Sequence, residues 1–118
     1  MGKVLVVDDD DALRGIVAEA IAEAGFVVDQ AENGQVALDK MRAAAPCVVL
    51  LDLMMPVMDG WQLVTAMEAD PVLASVPVCV ISAQDRTPPP ARVACLLKKP
   101  VTLAELVSTV STYCTPAG

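Results

Sequence analysis

This sequence predicts an α/β fold, a doubly wound five-stranded parallel sheet with helices on both faces. Two observations carry the expectation. Short apolar runs rich in β-branched residues recur along the chain at strand length, and stripes of apolar residues at helical spacing lie between them. Strand and helix thus alternate about five times, and in so small a chain that alternation calls for parallel strands joined by right-handed crossovers.

The first strand is Val4 to Val7. In the helix that follows, Leu13, Ile16, Val17, Ala20, Ile21 and Ala24 form the apolar stripe, Arg14, Glu19 and Glu23 take the other side, and Gly25 supplies the stop. Phe26 to Val28 make the second strand, and Ala37, Leu38, Met41 and Ala44 the second helical stripe. The third strand, Cys47 to Leu51, is apolar throughout, the pattern of a strand buried on both faces. Leu63, Val64 and Met67 mark the third helix, Val78 to Ile81 the fourth strand and Cys95 to Leu97 the fifth. Leu103, Leu106, Val107, Val110 and Cys114 line the last helix. Thr87-Pro88-Pro89-Pro90 interrupts the connection between the fourth and fifth strands. Each proline lacks an amide donor and clashes with the preceding turn, so the fourth helix in sequence, the crossover expected here, is shortened or missing, with one turn near Ala91 to Ala94. No linker or shift of composition divides the chain, and residues 1–118 read as a single domain.

The chain carries 8 basic against 15 acidic side chains, a net charge of −7, and no histidine. That excludes a Ser-His-Asp or Cys-His relay, a phosphohistidine on this chain and any His-containing zinc site. The negative charge repels nucleic-acid backbones and anionic membrane surfaces, so neither is an expected partner. No apolar run approaches the roughly 18 residues of a membrane span, and the start has no signal-peptide core. The expectation is a soluble, unprocessed, cytoplasmic protein. Cys47, Cys79, Cys95 and Cys114 are far apart and mostly within apolar runs, so they read as reduced core thiols, although a disulfide is compatible with the sequence.

In an open parallel sheet, ligands sit at the carboxyl ends of the strands. Polar residues fall at those ends: Asp8 to Asp11 after the first strand, Asp52 at the end of the third, Ser82 after the fourth and Lys99 after the fifth. Asp10 and Asp11 are accounted for as a helix amino terminus, where carboxylates cap free amides. Asp8, Asp9 and Asp52 repel one another, which raises their affinity for a cation. Mg²⁺ (or Mn²⁺), which prefers oxygen ligands, suits them. With the charge screened, Asp52 becomes a nucleophile towards phosphorus, and Ser82 and Lys99 become holders of phosphoryl oxygens.

Val6-Val7-Asp8-Asp9, the run from Leu51 to Gly60, Ile81-Ser82-Ala83 and Lys99-Pro100 together resemble the receiver domain of two-component response regulators, over nearly the whole chain. The resemblance implies a flavodoxin-like strand order and a phosphorelay signalling module. Asp52 would accept the phosphoryl group from a histidine kinase or phosphotransfer protein. Asp9 would ligate Mg²⁺ directly, Asp8 directly or through water, and Met54 through its backbone carbonyl. Ser82 would supply the hydroxyl that moves towards the phosphoryl group, Lys99 would pair with it, and the small Ala83 would leave it room. Such a module promotes its own phosphorylation and dephosphorylation without turning over an external substrate. Its other implied partners are an output domain or partner protein and a second copy in a homodimer.

Two departures stand out. The family places an aromatic residue three positions before the lysine, where this chain has Leu96, read here as core packing. The proline triplet alters the crossover that contributes to the family's output surface. Both favour an alternative, a receiver-like interaction module independent of phosphorylation, whereas the intact Asp8, Asp9, Asp52, Ser82 and Lys99 favour the phosphoacceptor. An aspartyl-phosphate phosphatase fits poorly, since Met54 stands where an Asp-x-Asp pair would put its acid.

Overall fold

Strand β1 (Val4–Val7) is four aliphatic residues, all buried, and β3 (Val48–Asp52) is apolar up to its final aspartate. Strands of that composition must be covered on both faces, and they occupy the centre of the sheet. The computed structural model describes residues 2–52, 60–82, 94–98 and 101–116. In it β2 (Val28–Ala31), β1, β3, β4 (Val78–Ser82) and β5 (Cys95–Lys98) pair in that order, every pair parallel. This is the flavodoxin-like order.

The second strand begins later than the apolar run suggests. Its ladder pairs Val28–Ala31 with Val4–Val7, and Phe26 lies before it, buried under the first helix. As an edge strand β2 tolerates Asp29 and Gln30, so its apolar content understates its length.

The helices start where side chains satisfy free amides. Asp10 accepts from the Leu13 amide to open α1 (Asp11–Glu23), and Gly25, at φ +101°, ends it in a conformation other residues adopt with strain. Asn33 caps α2 (Gly34–Ala43), α3 spans Gly60–Glu68, and Thr102 caps α4 (Leu103–Tyr113), the last helix. Strand alternation then divides the core in two. Leu5, Val7, Val49, Leu51 and Val80 pack with Leu38 and Met41 of α2 and Leu63 and Met67 of α3. Val4, Val6, Val48, Leu50 and Cys79 face Val17 and Ile21 of α1 and Leu106 and Val110 of α4. The four described helices match the four apolar stripes; the expected shortening of the crossover falls on residues 83–93, outside the described residues.

Two expectations are corrected. Leu96 is not core packing: β5 is an edge strand, Cys95 and Leu97 turn to the α1/α4 core, and Leu96 on the opposite face is 40% exposed. Nor are all four cysteines reduced. Cys47 and Cys114 form a disulfide, because the start of β3 and the end of α4 meet with Cα atoms 5.6 Å apart; Cys79 and Cys95 are thiols, as expected.

Asp29 gathers positive charge at the β2 edge, with Lys40 Nζ at 3.0 Å and Lys3 Nζ at 3.7 Å. Partial burial pushes its pKa up, but the Gln30 N–H and the two lysines outweigh burial, and the carboxyl titrates below its ordinary value. A carboxyl with a depressed folded-state pKa stabilises the fold above its unfolded pKa and loses that contribution as pH falls through the folded one. Asp29→Asn is therefore expected to cost up to about 1 kcal/mol at pH 7, the scale of a solvent-accessible pair, and progressively less below pH ~4. Urea unfolding at several pH values checks this; a pH-independent cost would assign the effect to packing.

Candidate functional site

Register brings the acidic residues together. Val7 pairs with Leu51, so Asp8, the next residue, comes level with Asp52. Asp52 pairs with Ile81, which sets Ser82 one residue beyond at the end of β4, opposite Lys98. The strand order reverses between β1 and β3, and the crevice at such a reversal is where open α/β sheets bind ligands. Oxygens of Asp8, Asp9 and Asp52 lie within 4.8 Å of one another there, Asp9 exposed and the other two half-buried. Opposite ligands of a six-coordinate Mg²⁺ stand about 4.2 Å apart, given bonds of about 2.1 Å. Three hard oxygen donors at this spacing fit a partly hydrated Mg²⁺, bound directly or through water.

The loop carrying two of these carboxylates is held from below. One Asp8 oxygen accepts the Asp10 N–H at 2.9 Å. Arg14 donates from Nη1 to the Asp8 carbonyl at 2.8 Å, from Nε to Gln30 Oε1 at 3.2 Å, and from Nη2 to Asp11 Oδ1 at 2.6 Å. One guanidinium thus ties the end of β1 to β2 and the first turn of α1, and its side chain is only 14% exposed. Sequence patterning put Arg14 on the polar side of α1 and missed this role. The available signal was its place one turn after Asp10 and Asp11, which sets it beneath the acidic loop. Asp10 caps α1 and Asp11 lies in its first turn, as expected; the pairing of Asp11 with Arg14 is an addition to that expectation. Met54, Ala83 and Lys99 lie outside the described residues.

Beside the carboxylates, an apolar groove of about 520 Å³ opens between α1 and α4, with Asp8 at its edge and Leu13, Ile16, Ile81, Leu103 and Leu106 among its walls. Leu13, Ile16 and Leu103 are 40%, 52% and 44% exposed, an apolar surface next to a charged site.

Comparison with known proteins agrees with this geometry. The family model described as "Response regulator receiver domain" matches residues 4–111. Among curated proteins, the transcriptional regulatory protein PrrA of Mycobacterium leprae is 41% identical across 92% of this chain and 48% of its own length, and PrrA of Mycobacterium tuberculosis matches equally. The chain therefore spans about half the length of these relatives. Among solved structures, the chemotaxis protein CheY4 of Vibrio cholerae superposes with a TM-score of 0.85 at 29% identity, over 97% of this chain and 99% of that one. The Francisella response regulator 1452 receiver domain gives 0.85 at 27%, over 96% of each. With the flavodoxin-like sheet, the acidic cluster at its switch point and a family match over nearly all its length, the chain belongs to the response regulator receiver domain family.

Proposed function

We propose that this receiver domain takes a phosphoryl group onto Asp52 in a Mg²⁺-dependent reaction, as one step of two-component signal transduction. The convergence of Asp8, Asp9 and Asp52 carries the reading. Asp8, Asp9 and Asp52, with the Met54 carbonyl, would hold the ion, and Mg²⁺ supplies the charge that lets anionic phosphate approach three carboxylates. Ser82, Ala83 and Lys99 receive their family roles around the phosphoryl oxygens. Asp52 is the nucleophile, and its in-line attack needs positioning and charge stabilisation more than further covalent chemistry. These 118 residues contain no histidine, so a phosphohistidine donor lies outside them, in a histidine kinase or phosphotransfer protein. Such a donor would bury the exposed Leu13, Ile16 and Leu103 beside the carboxylates as it docks.

In this reading residues 1–118 act as one cytoplasmic signalling unit without external substrate turnover. No described helix is long and apolar enough to cross a membrane. The output is an attached domain, a partner protein or a second copy, in keeping with relatives twice as long. A thermal-shift assay with Mg²⁺ and beryllofluoride, a phosphoryl mimic, tests the reading. Stabilisation that needs both ligands and vanishes in Asp52→Asn is expected. No stabilisation of the parent chain would favour the phosphorylation-independent interaction module.

Arg14 should matter to the same assay. Arg14→Ala frees the Asp8 carbonyl and loosens the acidic loop, and loss of such a support is expected to weaken Mg²⁺ binding about tenfold. Calorimetric Mg²⁺ titration of folded Arg14→Ala checks this; unchanged affinity would mean that the loop holds its shape without the guanidinium.

A further inference from the structure

The four cysteines, scattered in sequence, converge in the fold. Cys47 enters β3, Cys79 in β4 pairs in register with Cys95 in β5, and Cys114 caps α4. Cys47 and Cys114 are bonded to each other across 67 residues of chain. The bond is not sealed into the core. An open cleft of about 280 Å³ lies against both half-cystines, flanked by Gly2, Pro46, Tyr113 and Thr115, and Cys47 is only half-buried. A small thiol can enter it.

At this end of α4, Val110 and Cys114 are buried and Tyr113 packs in the α1/α4 core with a hydrogen bond to Cys79. Leu106 and Val110 are its fully buried side chains, while Thr109, Ser111 and Thr112 turn their hydroxyls to carbonyls of their own helix. An 11-residue helix is marginal without tertiary anchorage. The disulfide anchors its carboxyl end, and Leu103 and Leu106 at the other end wall the apolar groove beside Asp8.

We propose that Cys47–Cys114 is a thiol-exchangeable staple, opened by a dithiol reductant through the cleft, so that docking of α4 follows the redox state. One reductant thiolate attacks a sulfur of the pair and forms a mixed disulfide, and the other cysteine leaves as a thiolate and takes a proton. The second reductant thiol then closes its own disulfide and releases the remaining cysteine. Two electrons pass to the protein, the reductant is oxidised, and two protein thiols result. Disulfides in reducing compartments are characteristically transient or redox-sensing, which suits an accessible bond in a signalling domain. The fully buried thiol of this core, Cys79, does not compete as an attacking group: burial first, and neighbouring Cys95 second, push it up to about 12.

The test is native-state alkylation of the full air-oxidised chain with N-ethylmaleimide, before and after dithiothreitol, counted by intact mass, with hydrogen exchange of α4 alongside. The expected result is no more than two labels before reduction and two further labels after it. Exchange across residues 103–113 should rise at least tenfold, with β1 and β3 unchanged. Cys114→Ser should show the raised exchange without reductant and no further response to it; Cys47→Ala provides the same comparison if Cys114→Ser fails to fold. Four labels before reduction, no new labels under native conditions, or equal α4 exchange in both redox states would each overturn the proposal. None of these readouts depends on Asp52, so failure here is distinct from failure of the beryllofluoride assay.

Discussion

Asp52→Asn is expected to abolish covalent phosphorylation of the chain. Incubated with Mg²⁺ and a small phosphodonor such as acetyl phosphate, the parent should gain the mass of one phosphoryl group and the variant none. The carboxylate oxygen carries negative charge to donate to phosphorus, whereas an amide oxygen is neutral and its nitrogen lone pair is delocalised. Asparagine has nearly the same shape, so β3 and its pairing with Ile81 should persist. The substitution should also stabilise the domain without Mg²⁺, because it removes one of three carboxylates whose oxygens lie within 4.8 Å. Relief of about 1 kcal/mol follows from like charges at that distance in a solvated site. Both effects from one substitution separate the phosphoacceptor from a bystander. A variant that still gained phosphate would move the acceptor elsewhere, and a parent that gained none would favour the phosphorylation-independent module.

The sheet and the acidic cluster were legible for a common reason. Val4–Val7 and Val48–Leu51 are apolar without interruption, which only a central two-faced strand explains, and a parallel sheet carries whatever follows such strands to one edge. Asp8 and Asp52 met because each directly continues or ends a central strand. Edge strands were less legible. Only part of β2 is buried, so Phe26 drew attention away from Asp29 and Gln30, and Leu96 looked like core although β5 has one neighbour. Arg14 escaped because its acceptors, the Asp8 carbonyl and Gln30, lie on other elements and include a backbone atom that sequence pattern does not register. The disulfide escaped for the same cause on a larger scale. Whether Cys47 meets Cys114 depends on α4 packing antiparallel across the sheet to finish beside the start of β3, and no local spacing encodes that.

That long-range closure sets the largest stability effect expected in the molecule. Fixing two residues 67 apart removes much of the loop freedom of the unfolded chain, worth about 4 kcal/mol at 25 °C by the chain-entropy relation. Domains of this size are stable by only about 5–15 kcal/mol in total, so the loss is a large share of the whole. The double variant Cys47→Ser/Cys114→Ser should therefore unfold in urea with its free energy lower by about 4 kcal/mol, and melt on the order of 15 °C earlier. Since Cys114 is 7% exposed and packs in the α1/α4 core, a serine hydroxyl there adds a local penalty of its own. Reduced parent chain separates the two contributions. It lacks the cross-link but keeps both sulfurs in the core, so its stability should fall between those of the oxidised parent and the double variant, closer to the variant. A reduced parent as stable as the oxidised one would mean that α4 packs fully without its staple. The cross-link would then be an incidental closure of two neighbouring thiols rather than what holds the last helix on the sheet.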